Sequence, residues 1–250
     1  MSNTLSNSVD YIIVGLGLAG INLCCELERG GKNYLVFDDE RSPASFKAAG
    51  LINPITGRNY AKSWRIDELI PVALENYHFL NEWLEGEYII PLDIRRALNN
   101  ISEENKWASR FGETGYKPYL TDQSFYDLSD SGFCDNSRSV RIDGAYQVRT
   151  KKLTINFKDH LIRTGRCLNE TFDFSSVDYG HSTYKGIEFD NIVCCEGALG
   201  KHTPFDYVPI IPNLGEVLHV ELAKTQPSFA FKKKVFVVPQ EGGYYWVGGT

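Results

Sequence analysis

Asp10-Tyr-Ile-Ile-Val14 is a short apolar run without alternation, the pattern of a strand buried on both faces of a parallel sheet. Glycines follow at once at 15, 17 and 20. Ile21 to Arg29 then carries apolar residues at helical spacing, and Gly30-Gly31 ends the helix. Asn33-Tyr-Leu-Val-Phe37 is a second apolar strand, closed by Asp38-Asp39. Strand, glycine turn, helix and strand within about 30 residues make a βαβ unit, whose crossover is right-handed in nearly all proteins.

Farther along, Gly and Pro mark Arg41 to Tyr60 as loop, with turns at Ser42-Pro43 and Asn53-Pro54. Asp67 to Glu85 predicts a long amphipathic helix with Leu69, Val72, Leu74, Tyr77, Leu80, Trp83 and Leu84 facing inward. Tyr88 to Arg95 predicts a strand, Glu103 to Phe111 a short helix, and 112–138 irregular chain. One or two strands are expected over Val140 to Val148. A helix follows over Thr150 to Arg163, with Thr150 as its N-cap. Cys167-Leu168 and Phe172 to Phe174 read as strands. Ile187 to Cys195 is another apolar strand, followed by Gly197 and Gly200. Val217 to Leu222 alternates as a half-exposed strand does. Val235 to Thr250 predicts a hairpin turning over Gln240 to Gly243. Its second strand stops almost at the last residue without a polar tail, which leads us to expect a piece of a longer protein.

At 250 residues the chain fits one large domain or two intertwined ones. With 42% hydrophobic and 23% charged residues, it is not disordered. No uncharged apolar run approaches the ~20 residues that span a bilayer. A net charge of −6 argues against an unaided nucleic-acid partner. The N-terminus has no secretory pattern. Six cysteines include the adjacent pairs Cys24-Cys25 and Cys194-Cys195 and no C-x-x-C. They read as reduced thiols packed as small hydrophobes in a cytoplasmic protein. The five histidines are scattered, and no metal site is expected.

The chemistry lies in Gly15, Gly17 and Gly20, a G-x-G-x-x-G that follows a strand and opens a helix. Gly15 makes the tight turn, Gly17 lets the backbone approach a diphosphate, and Gly20 lets helix and strand pack closely. The helix N-terminus offers free N–H groups and the positive end of its dipole. Asp38, about 20 residues on, is placed to accept hydrogen bonds from ribose hydroxyls and would repel a 2′-phosphate. The motif leaves FAD and NAD both open, because they share the adenosine-diphosphate half.

Beyond Asp38 the sequence resembles the D-amino-acid oxidase / glycine oxidase family of FAD-dependent oxidoreductases. Four stretches carry the resemblance in order: Ser45-Phe-Lys-Ala-Ala-Gly-Leu-Ile-Asn-Pro54, Asn191-Ile-Val-Cys-Cys-Glu-Gly197, Pro209 to Leu218, and Tyr245-Trp-Val-Gly-Gly-Thr250. The resemblance implies an α/β fold. A Rossmann-like FAD-binding domain with a parallel sheet (1–88 and 149–205) would intertwine with an antiparallel-sheet substrate domain (89–148 and 206–250), the latter incomplete at its C-terminus. It implies FAD as cofactor and oxidation of the C–N bond of a small amine or amino acid by hydride transfer to flavin N5. Gly15, Gly17, Leu18, Ala19 and Gly20 would hold the diphosphate, and Asp38 and Asp39 the ribose and its surroundings. Ser45 and Phe46 would meet the phosphates, while Ala49, Gly50 and Leu51 would run along the flavin. Phe172 would lie near the adenine, and Gly197 near the cofactor.

Asn53, Arg58 and Tyr245 are the candidate substrate residues, Arg58 for its ability to grip a carboxylate bidentately. Along the last strand, Tyr245 and Trp246 are expected to face opposite ways, one into the core. Asn53-Pro-Ile-Thr-Gly57 also resembles a branch that oxidises a modified tRNA base, a partner the acidic charge disfavours. Two other readings stand beside the lead: an NAD-dependent dehydrogenase, which explains only the first 40 residues or so, and a flavoprotein fragment without activity.

Overall fold

The N-terminal apolar run forms strand Ser8–Val14, fully buried over Ile12–Val14, and everything in the first half of the fold is arranged around it. The structure is a computed structural model and describes residues 8–39, 44–127, 138–198, 204–223 and 226–249. Cys134, Gly200 and the Ser42-Pro43 turn lie outside the described residues. The helices are α1 (Leu18–Arg29), α2 (Ile66–Trp83), α3 (Ile101–Phe111) and α4 (Thr150–Arg163).

The chain divides into two compact units. The first comprises 1–48, 75–88 and 149–214; the second comprises 49–74, 89–148 and 215–250. Residues 49–74, expected with the nucleotide-binding portion, cluster with the second unit instead. The reason is that Leu51–Ile52 pairs antiparallel with Tyr146–Val148.

The first unit holds a six-stranded sheet. Its order is Cys167–Leu168, Tyr34–Phe37, Ser8–Val14, Ile187–Cys194, Thr183–Tyr184 and Val177–Asp178. The first four strands are parallel and the last two antiparallel. Parallel strands need crossover connections, supplied here by α1 between the first two strands in sequence and by α4 before Cys167–Leu168. The carboxyl ends of the four parallel strands therefore lie along one edge, where open α/β sheets bind ligands. One side of the sheet carries an aromatic cluster. Phe172 stacks on Tyr184 at 4.1 Å and meets Phe37 edge-on at 5.1 Å.

The second unit is built on a seven-stranded sheet. Its order is Val217–Val220, Tyr245–Gly248, Phe236–Pro239, Ala230–Lys232, Ile94–Ala97, Arg138–Ile142 and Tyr126–Asp127. Only the pair Ala230–Lys232 with Ile94–Ala97 is parallel. The expected hairpin is the antiparallel pair Phe236–Pro239 and Tyr245–Gly248. One face of this sheet packs against Tyr60, Trp107, Tyr116 and Leu120 to make the unit's core. A mixed α/β architecture with a parallel sheet in one unit and a largely antiparallel one in the other is the fold class the sequence implies.

Several local expectations are corrected. In α2 the buried stripe runs through Ile66, Tyr77 and Leu80, so Leu69 (42% exposed) and Val72 (54%) face solvent. At 100° per residue Leu69 borders that stripe and Val72 lies well off it, and neither is covered. Arg149, not Thr150, occupies the cap position of α4. Thr150 is already helical, and its carbonyl accepts a bond from the Thr154 hydroxyl at 2.9 Å. The 172–174 stretch is no strand: a 3₁₀ turn over Phe174–Ser176 is capped by the Asp173 carboxylate, which accepts from the Ser175 amide. Tyr245 and Trp246 are both buried, at 4% exposure each. Their strand has neighbours on both sides, and the Tyr245 hydroxyl donates to the Pro227 carbonyl, so the face expected to be open is covered as well.

Candidate functional site

The turn after the first strand is held by its own backbone. Gly15 N–H donates to the Phe37 carbonyl at 2.8 Å, and Cys195 N–H donates to the Val14 carbonyl. Gly15 has φ +95°, and a Cβ there would stand 2.7 Å from the Cys195 carbonyl oxygen. At Gly20 a Cβ would stand 2.3 Å from the Gly15 carbonyl oxygen. Real side chains do not tolerate such distances, so the fold itself demands these two glycines.

Gly17 is different. Its φ is −76°, which any residue adopts, and a Cβ there would meet only the Ser45 hydroxyl oxygen, at an ordinary 3.6 Å. Among the described residues nothing requires a glycine at 17. Its bare backbone leaves room for a group that approaches closely from outside.

What surrounds Gly17 fits a diphosphate. The amides of Gly17, Ala19 and Gly20 find no acceptor among the described residues. The Leu18 amide donates to the Ser45 hydroxyl at 3.3 Å, and the 3₁₀ turn Ala44–Phe46 carries that serine to the helix start. The first turn of α1 has no acidic residue to compete with a phosphate. Free N–H groups at the positive end of a helix form an anion site.

Asp38 closes the second parallel strand. Its Oδ1 accepts from the Leu16 amide of the glycine turn at 2.8 Å. Its Oδ2 accepts from the Lys158 ammonium at 2.8 Å. Lys158, on α4, also donates to the carbonyls of Asp38 and Asp39 at 3.2 Å each and to Asn169 Oδ1 at 2.9 Å. Asp39 Oδ2 accepts from the Thr171 hydroxyl at 3.1 Å. Sequence reasoning missed Lys158, because it stands 120 residues from Asp38 and belongs to no local pattern. Gly197 follows the Ile187–Cys194 strand at φ +58° and is exposed, with open space around it. Phe172 is a core residue of the aromatic cluster.

The other predicted residues lie in the second unit. Gly50 has φ +73°, and a Cβ there would stand 1.8 Å from the Val148 carbonyl oxygen. Packing against the neighbouring strand thus accounts for that glycine without a ligand. The Ala49 carbonyl accepts from Gln147 Nε2 at 3.2 Å, and Leu51 pairs with Gln147. Asn53 Oδ1 accepts from the Ile55 amide at 3.1 Å, which makes a local turn. Arg58 is exposed between the short strands Ile55–Thr56 and Ala61–Lys62, with no bond or ion pair among the described residues.

Burial raises the thiols, Cys25 and Cys194 to about 11 and Cys167 to about 12. They pack as hydrophobes, as expected, and the five described cysteines are unpaired. No cluster of metal-ligating side chains occurs among the described residues. No helix among them is long and apolar enough to cross a membrane.

Comparison with known proteins agrees with this geometry. The DAO family, described as FAD dependent oxidoreductase, matches residues 10–250. Glycine oxidase from Geobacillus kaustophilus superposes with a TM-score of 0.73 at 15% identity, over 98% of this chain and 72% of that one. Iminodiacetate oxidase from Chelativorans sp. BNC1 gives 0.73 at 15% identity, over 96% and 71%. Glycine oxidase from Bacillus cereus gives 0.69 at 19% identity, over 97% and 71%. At these identities the superpositions speak for the fold alone. An NAD-dependent dehydrogenase, which accounts for only the opening βαβ unit, does not explain a match that runs from residue 10 to residue 250. The chain belongs to the DAO family of FAD-dependent oxidoreductases.

Proposed function

We propose that the first unit binds FAD by its adenosine-diphosphate half and that the chain oxidises the C–N bond of a small amine or amino acid. The observation that carries the cofactor assignment is Gly17, a glycine that packing among the described residues does not need, set among three amides without acceptors there. Gly15, Leu18, Ala19 and Gly20 shape that cradle, and Ser45 and Phe46 flank it. Asp38 and Asp39 face the ribose. Phe172 and Gly197 keep the supporting roles that the resemblance gives them. Bound FAD supplies the two-electron acceptor of the reaction.

The substrate class rests on the family and on the named activities of the similar structures, glycine oxidase and iminodiacetate oxidase. We assign the substrate role to the second unit, with Ala49, Gly50 and Leu51 as the flavin-side stretch of the resemblance. Among its candidate residues, Tyr245 has committed its hydroxyl to Pro227 and Asn53 its carboxamide oxygen to a turn. Arg58 keeps its donors free among the described residues, which supports it as the carboxylate partner. The unpaired thiols support a cytoplasmic setting.

The test is Gly17→Ala. The wild-type chain is expected to purify yellow, with the absorbance bands of oxidised flavin. Gly17→Ala should keep thermal stability within about 1 kcal/mol, since only the cap preference changes, yet lose FAD affinity at least tenfold. A colourless wild-type protein that takes up NADH but not FAD refutes the cofactor assignment.

A further inference from the structure

Lys158 gathers four oxygens at the end of the second parallel strand: the Asp38 carboxylate and carbonyl, the Asp39 carbonyl and the Asn169 side chain. An ammonium has three protons, so its donors are fully engaged. Lys158 is about one-fifth exposed, as is Asp38, so the pair is partly shielded from solvent screening. The Asp38 carboxylate is gripped at both ends, Oδ1 by the Leu16 amide and Oδ2 by Lys158. Two donors on different elements fix the plane of a carboxylate that could otherwise rotate, and each oxygen keeps a lone pair for a further donor.

We propose that Lys158 is a positioning residue that acts through Asp38 to orient its carboxylate toward the ribose hydroxyls of the adenosine end of the cofactor. The inference rests on the FAD reading above. Lys158 lies on α4, which immediately precedes strand Cys167–Leu168. That strand pairs with Tyr34–Phe37, so the contact ties two neighbouring strand ends together where the ribose is expected. Without the ammonium, Asp38 Oδ2 would lose its Lys158 donor beside the two carbonyls that Lys158 also bonds.

The test measures binding of ADP and of 2′,3′-dideoxy-ADP to the full chain freed of flavin, for wild type, Lys158→Met and Lys158→Arg. Lys158→Met should weaken ADP about tenfold, which is about 1.4 kcal/mol. It should change 2′,3′-dideoxy-ADP less than twofold, because that ligand has no hydroxyls for Asp38 to hold. Lys158→Arg should restore ADP to within threefold. The ratio of the two ligands on one variant does not depend on how much of the sample is folded. Equal losses for both ligands, or no loss for either, overturn the positioning role while wild-type FAD and ADP binding leaves the cofactor reading standing. A wild-type chain that binds neither FAD nor ADP overturns both.

Discussion

Gly50→Ala separates packing from ligand approach as the reason for a glycine. The methyl would lie 1.8 Å from the Val148 carbonyl oxygen, at φ +73°. Left-handed backbone costs a non-glycine residue about 1–2 kcal/mol. Relieving the clash means parting Gly50 from the neighbouring strand, which breaks the Val148 N–H to Gly50 carbonyl bond of 2.8 Å. It also disturbs the adjoining Leu51–Gln147 pair. Each lost bond adds about 1 kcal/mol or more, so the total comes to about 3–5 kcal/mol. Gly57 supplies the control: it has φ +69° and open space around its would-be Cβ. Gly57→Ala should therefore cost only the conformational share, about 1–2 kcal/mol. Urea unfolding of the flavin-free chain, followed by the fluorescence of the buried Trp107 and Trp246, reads both variants. Costs equal within about 0.5 kcal/mol would refute the packing account. So would a Gly50→Ala defect that shows only when FAD is present.

Gly20→Ala should lose both stability and FAD, by contrast with Gly17→Ala, because its methyl would press 2.3 Å from the Gly15 carbonyl oxygen; a lowered melting temperature without FAD checks this. Asp122 accepts hydrogen bonds from the Tyr126 hydroxyl and from the Ser124 amide, which hold its carboxyl down at about 2. A depressed carboxylate contributes stability above its unfolded pKa near 4 and loses it as pH falls through the folded value. Tyr126→Phe should therefore raise the Asp122 titration toward the ordinary range, as read by carboxyl NMR, and an unmoved midpoint would remove the hydroxyl as the cause. Cys24, Cys25 and Cys167 are buried, and burial raises all three thiols. They should resist a disulfide reagent at pH 8 in the native protein and react once it unfolds, and rapid native labelling of any of them would contradict the packing.

What could be read from the sequence was local, and what could not depended on distant partners. The βαβ unit is legible because three glycines, an apolar strand on each side and a closing aspartate fall within about 30 residues and each obeys short-range rules. Leu69 and Val72 are exposed against expectation, because hydrophobicity alone does not say which apolar positions along a helix find a partner. Tyr245 and Trp246 were misplaced because alternation assumes one open face, and Pro227 closes it. Lys158 leaves no trace, since the carboxylate it grips lies 120 residues upstream. The glycines show most clearly where sequence stops and coordinates begin. In the chain Gly15, Gly17, Gly20 and Gly50 are alike, all four beside a nucleotide motif or a family loop. In space three of them are forced by carbonyls of the protein itself, at 2.7, 2.3 and 1.8 Å, while the fourth has an ordinary 3.6 Å of room. On our proposal, a residue small without need among the described residues is the one whose size answers to a ligand. For that reason the cofactor assignment turns on Gly17 and not on the count of glycines around it.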